Sequence, residues 1–140
     1  MSLAPRTQPA VRPSAVPFRV MVVDDSAVIR GLVGRWLAAD PAVQLVASCP
    51  NGKVAVNEVA RIRPEVVILD IEMPEMDGLS FLKALRARQG GASPVVLFCT
   101  TENDMKHITD ALAAGANEYI MKPFDRGILE SKFAQAGLTA

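Results

Sequence analysis

From Phe18 onward the chain alternates short apolar runs rich in β-branched residues with longer segments whose apolar positions recur at helical spacing. The runs at residues 19–23, 43–48, 66–69, 95–99 and 119–121 predict five strands, and the segments at 27–39, 53–62, 79–88, 105–114 and 126–136 predict the helices between and after them. Runs such as Val66-Val67-Ile68-Leu69 are apolar without alternation, which suits strands covered on both faces by helices. Asp25-Ser26, Asn51-Gly52 and Asp77-Gly78 supply cap and turn chemistry ahead of the first three helices, and Pro64 and Pro94 stand just before strands three and four. Strands joined by helical crossovers, which are right-handed almost without exception, give an α/β fold: an open, doubly wound, five-stranded parallel sheet in a three-layer sandwich.

Residues 1–17 break this pattern. They contain Pro5, Pro9, Pro13 and Pro17, two arginines, no acid and little that is large and apolar, so they are expected to form a flexible tail ahead of one domain at 18–140. A length of 140 residues, half of them apolar, and a mean hydropathy of +0.23 exclude a disordered chain. Fifteen basic side chains balance fifteen acidic ones, and setting the tail aside leaves thirteen against fifteen, a net of −2. Such a balance provides no field for a nucleic-acid backbone or an anionic membrane, so neither is an expected partner. No apolar run reaches the roughly 18 residues that span a bilayer, and the expected compartment is the cytoplasm. Cys49 and Cys99 lie in apolar runs and match neither a disulfide framework nor a zinc pattern; they read as buried free thiols.

In a doubly wound sheet the loops after the carboxyl ends of the strands share one rim, where ligands bind. Strand one ends in Asp24-Asp25, strand three in Asp70, strand four in Thr100 and strand five in Lys122-Pro123. Singly, each is an ordinary turn or helix cap. Together they bring three carboxylates, a hydroxyl and an amine to one edge. Crowded carboxylates repel unless a cation compensates, so the cluster calls for a positive ion in addition to Lys122. An all-oxygen donor set selects Mg²⁺, or Mn²⁺, over zinc. The single histidine, His107, falls on the fourth helix away from the rim and reads as a surface residue.

These residues, in this order, resemble the receiver domain of two-component response regulators: Val22-Val23-Asp24-Asp25-Ser26, Leu69-Asp70-Ile71-Glu72-Met73-Pro74, Met76-Asp77-Gly78, Thr100-Thr101-Glu102 and Lys122-Pro123-Phe124. The match runs over about residues 18–136. The resemblance implies a flavodoxin-like fold with strand order 2-1-3-4-5, the order of the chemotaxis regulator CheY; periodicity alone leaves the order open. It also implies that Asp70 is the phospho-acceptor, receiving a phosphoryl group from the phosphohistidine of a histidine kinase of the CheA kind. Asp25 and Asp70 would ligate Mg²⁺ directly, Asp24 through water, and Glu72 through its backbone carbonyl. Lys122, preceding a cis-proline, would hold one phosphoryl oxygen and Thr100 another. As Thr100 moves toward the phosphate, Tyr119 would turn inward, and the surface of helix four, strand five and helix five would change for a partner. Met73-Pro74 and Asp77-Gly78 would shape the loop after the acceptor, with Gly78 allowing a turn that a side chain would hinder.

Three positions depart from the family's commonest pattern. Thr101 stands where a small residue is usual and would narrow access to the phosphoryl group, while Glu72 and Glu102 occupy places that tune loss of the phosphate. A haloacid-dehalogenase-type phosphatase uses similar residues but carries its nucleophile on the first strand in a D-x-D motif, and here Asp70-Ile71-Glu72 follows strand three. A flavodoxin-like FMN carrier would need a Ser/Thr/Gly phosphate loop where this chain has Asp24-Asp25. The expected role is therefore signalling without turnover, beyond slow autophosphorylation from small donors and autodephosphorylation. Residues 100–133 look most like single-domain chemotaxis regulators of the CheY kind, whose output partner is the flagellar motor switch. The first half looks equally like the receiver of the methylesterase CheB. A CheY-like output is the preferred expectation, with a fragment of a multidomain regulator or a phosphate sink as alternatives.

Overall fold

The computed structural model describes residues 16–71, 73, 76–88, 91, 93–101 and 106–138. The chain runs β1 (Phe18–Val23), α1 (Ala27–Ala38), β2 (Val43–Cys49), α2 (Gly52–Ile62), β3 (Val66–Asp70), α3 (Gly78–Ala87), β4 (Val95–Thr101), α4 (Lys106–Ala113), β5 (Glu118–Lys122) and α5 (Arg126–Gln135). All strand pairings are parallel and the order is β2-β1-β3-β4-β5, as expected. Because β2 and β3 lie on opposite sides of β1, the chain reverses its direction of winding there. The crevice this opens lies at the carboxyl ends of β1 and β3.

Strand alternation divides the core into two. Val20 and Val22 of β1, Ile68 of β3, Leu97 and Cys99 of β4 and Ile120 of β5 pack with Val33 and Leu37 of α1 and with Leu129 and Phe133 of α5. Met21, Val23, Val67, Leu69 and Phe98 face the other way, onto Val59 of α2, Phe81, Leu82 and Leu85 of α3 and Ala111 of α4. Helices α1 and α5 thus cover one face of the sheet and α2, α3 and α4 the other. The expectation of strands apolar on both faces holds for β1, β3 and β4 and fails for β2, where Gln44, Leu45 and Ser48 are exposed. As an edge strand β2 has a neighbour on one side only, and its ladder with β1 slips between Val20 and Met21 so that Val46 is passed over.

The helices begin where capping chemistry places them. Ser26 accepts from the Ile29 amide, Asn51 from Val54, Asp77 from Ser80 and Asp125 from Ile128, each satisfying one of the donors a helix start leaves open. At the far end of α2, Arg63 takes a left-handed conformation (φ 53°), and the Arg19 guanidinium donates to the carbonyls of Ile62 and Arg63, both at 2.6 Å. Arg86 of α3 donates to the carbonyls of Gly91, Pro94 and Gly115 and to the side chain of Asn117, tying the loops before β4 and β5 to one helix. Most of residues 1–17, Glu72, Glu102 and the expected first residue of the fourth helix, Met105, lie outside the described residues. Cys49 and Cys99 are buried free thiols, and burial pushes them up to about 11 and about 12 respectively. His107 is half-buried and not the surface residue expected, because a short helix with Ala111 packed against the sheet turns its neighbouring positions partly inward.

Gly78 opens α3 with its amide donating to the Ile71 carbonyl at 2.9 Å, and a Cβ at this position would stand 2.1 Å from the carbonyl oxygen of Asp70 and 2.9 Å from Cα of Ile71. A side chain would hinder the turn here, as expected, and the reason is space and not a left-handed backbone, since its φ is not positive. Gly78→Ala is expected to lower stability in urea by about 1–3 kcal/mol, since backbone and not a flexible side-chain end must shift. A loss under about 0.5 kcal/mol, within the range of neutral surface changes, would show that the segment after Asp70 yields freely.

Candidate functional site

Alternation within the sheet aims three polar side chains to one face. Asp70 shares the orientation of Ile68, Lys122 that of Ile120, and Asp24, one residue past β1, that of Val22, so all point to the α1/α5 side at the carboxyl rim. There the Lys122 ammonium lies 2.7 Å from Asp70 Oδ1 and 3.1 Å from Asp24 Oδ2, an amine bridging two carboxylates from three strands. Asp24 and Asp70 are 3% and 4% exposed, whereas Asp25 opens to solvent. Asp24 is held from two sides. Its Oδ1 accepts from the Ser26 amide at 2.8 Å, and its carbonyl accepts from the Arg30 guanidinium at 2.6 Å.

One carboxylate oxygen from each of Asp24, Asp25 and Asp70 lies within 4.8 Å of the others. Oxygens around one Mg²⁺ at about 2.1 Å sit at most about 4.2 Å apart, so a small contraction or one intervening water lets the three share an ion. The charge count agrees: three carboxylates and one ammonium leave a surplus of two negative charges, which a hard divalent cation removes. The donor set therefore fits Mg²⁺. Burial pushes the Asp70 carboxyl up to about 6 against the pull of Lys122, with Asp24 and Asp25 adding to the rise. Burial lowers the Lys122 ammonium, but its hydrogen bond to Asp70 and the charges of Asp70 and Asp24 outweigh that, and the net direction is upward. At neutral pH the pair is ionised, a carboxylate held by a cation.

The remaining expected residues stand apart from this cluster. Thr100 is fully buried on the α4 side of the sheet, one position beyond the pairing of Asp70 with Cys99, and its hydroxyl donates to the Thr101 carbonyl at 3.4 Å, the outer limit of a hydrogen bond. Tyr119 pairs with Phe98 and shares the face of Thr100, but its ring is met by Lys132 of α5. The Lys122-Pro123 peptide is cis, as the resemblance implied. Glu72, whose carbonyl was expected to complete the metal site, lies outside the described residues. Sequence reasoning missed Arg30 and Lys132, whose contacts cross between elements and leave no local pattern. The cap at Ser26 was legible from Asp25-Ser26 ahead of the helix, and its side chain accepts from the Ile29 amide at 3.2 Å. Beside the rim, Ile29, Leu32, Val33, Trp36, Pro123 and Phe124 line a cleft of about 420 Å³ that the flank of Lys122 also borders, with the Trp36 and Phe124 rings tilted at 6.0 Å.

Comparison with known proteins agrees with this geometry. The family model for the response regulator receiver domain matches residues 20–134. A protein-glutamate methylesterase/protein-glutamine glutaminase from a Nocardioides species is 48% identical over 111 residues, 79% of this chain and 30% of the relative. One of the same name from Rhodopseudomonas palustris is 44% identical over 124 residues, 88% of this chain and 32% of the relative. The chain thus spans about a third of the length of these curated relatives. Among solved structures, the Vibrio cholerae chemotaxis protein CheY4 superposes with a TM-score of 0.78 at 28% identity, covering 86% of this chain and 99% of that one. The response regulator domain of Thermotoga maritima CheB does so with a TM-score of 0.78 at 28% identity, covering 89% and 99%. With the sheet order, the acidic cluster and the family match in agreement, this chain belongs to the response regulator receiver domain family, a signalling module of the CheY and CheB type.

Proposed function

We propose that residues 18–140 form a phospho-accepting switch, preceded by a tail at 1–17, in which Asp70 takes a phosphoryl group from the phosphohistidine of a histidine kinase of the CheA kind. The observation that carries this reading is the Lys122 ammonium held between Asp70 and Asp24 at 2.7 and 3.1 Å, beside three carboxylates close enough to share one ion. An Asp70 oxygen forms the new O–P bond as the N–P bond of the donor breaks, and the imidazole leaves with a proton from solvent. Asp25 and Asp70 would hold Mg²⁺ directly and Asp24 through water, with the Glu72 carbonyl as a further ligand. Bound there, the ion supplies charge neutralisation that lets an anionic oxygen approach an anionic phosphoryl group. Lys122, released from Asp70 as that oxygen is esterified, holds a phosphoryl oxygen, and Thr100 donates its hydroxyl to another. Its present bond at 3.4 Å is weak enough to exchange. Tyr119, a diagonal neighbour of Thr100 on one face of the sheet, then turns inward and alters the α4/β5/α5 surface.

For the output, the relatives favour the methylesterase type over the motor-switch reading preferred from residues 100–133. Those at 44–48% identity are methylesterases by name, whereas the likeness to CheY4 and to the CheB domain is equal at 28%. In this reading the switching face controls a methylesterase partner, and the compartment is the cytoplasm where kinase and donor meet.

Incubation with Mg²⁺ and acetyl phosphate, or with a purified chemotaxis kinase, is expected to add one acid-labile phosphoryl group seen by mass spectrometry, and Asp70→Asn is expected to abolish it. An adduct that persists in the variant would place the acceptor elsewhere. Chelating the metal is expected to suppress transfer nearly completely.

A second expectation follows from the raised Asp70 carboxyl, about 6 in the fold against 3.8 in the open chain. The folded state binds this proton more tightly, so its contribution is complete below pH about 4 and is lost as pH rises through about 6. In metal-free protein, Asp70→Asn should therefore be more stable than the parent at pH 8 by an amount on the order of 2 kcal/mol larger than at pH 4. Saturating Mg²⁺ should reverse the order, because the parent gains the ion. Urea titrations at the two pH values, with chelator and with Mg²⁺, measure this, and a pH-independent difference would mean that burial at Asp70 is relieved in solution.

A further inference from the structure

Tyr119 is the only tyrosine of the chain and stands in β5, the strand at the sheet's edge. Its neighbour Ile120 packs with Leu129 and Phe133 of α5, so by alternation Tyr119 belongs to the opposite, α4 face. Yet the ammonium of Lys132, a residue of α5, lies 4.5 Å from the centre of its ring. A residue from one face reaches the ring of a residue on the other only around the edge of the sheet, so the ring leans outward past β5 and away from Thr100. Two further contacts fix the arrangement. Lys132 pairs with Glu118 Oε1 at 3.3 Å, and the same oxygen accepts from the Tyr119 amide at 3.1 Å. The Lys132 and Glu118 side chains are only 19% and 25% exposed, which weakens solvent screening of the cation over the ring.

We propose that Lys132 is a latch on Tyr119: its ammonium, anchored by Glu118, holds the ring outward over the edge of β5 and so opposes the activated conformation. The proposal rests on the reading that Tyr119 turns inward when Thr100 engages the phosphoryl group. Turning inward gives up the ring–ammonium contact, so each activating event works against it. Lys132 touches neither substrate nor ion and acts as a positioning residue. By linkage, whatever holds the ring outward lowers the affinity for any ligand that favours the inward state, and removing it raises that affinity by the same factor. A contact of this kind at a partly exposed site corresponds to a factor of about two to five in an equilibrium constant.

A single tyrosine makes the test specific, because 3-fluorotyrosine incorporation gives one ¹⁹F resonance. The parent, Lys132→Met and Lys132→Arg are titrated with beryllofluoride and Mg²⁺, after thermal unfolding has shown that the variants are folded; Lys132→Gln replaces the methionine variant if that one is not. The parent resonance is expected to move on activation. Lys132→Met is expected to start part-way toward the activated position and to reach its midpoint at about two- to fivefold lower beryllofluoride, and Lys132→Arg, which keeps the cation, to behave as the parent. A parent resonance that moves while Lys132→Met matches it in resting position and midpoint would overturn the latch and leave the tyrosine coupling standing. Equal shifts in the methionine and arginine variants would overturn it too, as they would show that the effect does not follow the cation. A parent resonance that does not move on activation would remove the tyrosine coupling itself, and the latch with it.

Discussion

The rim of the sheet is organised around one unbalanced charge set. Three carboxylates converge where strand direction ends, and among the described residues a single ammonium answers them. Burial makes this expensive, since Asp24 and Asp70 have almost no contact with water and Asp70 is driven well above the usual carboxylate range. The fold tolerates the cost because Lys122 is placed by a strand and not by a flexible loop, and because the sheet beneath is closely packed on both faces. The surplus of negative charge calls for a cation, and in the proposed function the Asp70 oxygen exchanges its ammonium partner for a phosphoryl group.

The same sheet separates chemistry from response. Asp24, Asp70 and Lys122 project to the α1/α5 side, while Thr100 and Tyr119 project to the α4 side. Thr100 follows Cys99, the pairing partner of Asp70, and its side chain faces the tyrosine's layer. In the proposed function, a change at the acid cluster reaches the other layer through Thr100 with little need to deform the sheet. Close packing favours such a route, because a filled interior responds by exchanging one side-chain arrangement for another. Lys132 adds a term from the first layer back onto the tyrosine, around the open edge of β5.

Much of this was legible in the chain. The alternation of apolar runs and helical periods gave five strands and five helices, and the inventory of residues at strand ends found the acid cluster without any coordinates. The strand boundaries fell short, with Cys49 of β2 left out. In β3, β4 and β5 the runs stopped at the last apolar residue, whereas the strands continue through Asp70, Thr100, Thr101 and Lys122, because ladder hydrogen bonds are made by backbone and ignore side-chain polarity. Asp70, Thr100 and Lys122 are therefore rigid strand residues, and Asp24 and Asp25 follow directly after β1. What could not be read was contact between distant elements: Arg30 on the Asp24 carbonyl, Arg86 across two loops, and Lys132 on Tyr119. Each is a long basic side chain whose exposed-helix pattern in sequence is indistinguishable from solvation.

Family membership and output rest on different parts of the molecule. The features that identify the receiver lie at the rim, where the chemistry of phosphoryl transfer constrains residue types. The face assigned to a partner in the proposed function lies on α4, β5 and α5, away from the acid cluster. Two solved relatives with different roles in their names consequently fit this chain equally well in backbone. Backbone likeness alone therefore carries no information about the partner; that information lies in which side chains stand on the switching face and how strongly they hold it at rest. On the latch proposal, a cation over Tyr119 sets that resting strength independently of the acid cluster, so receivers sharing the same rim chemistry are open to tuning by substitutions on α5.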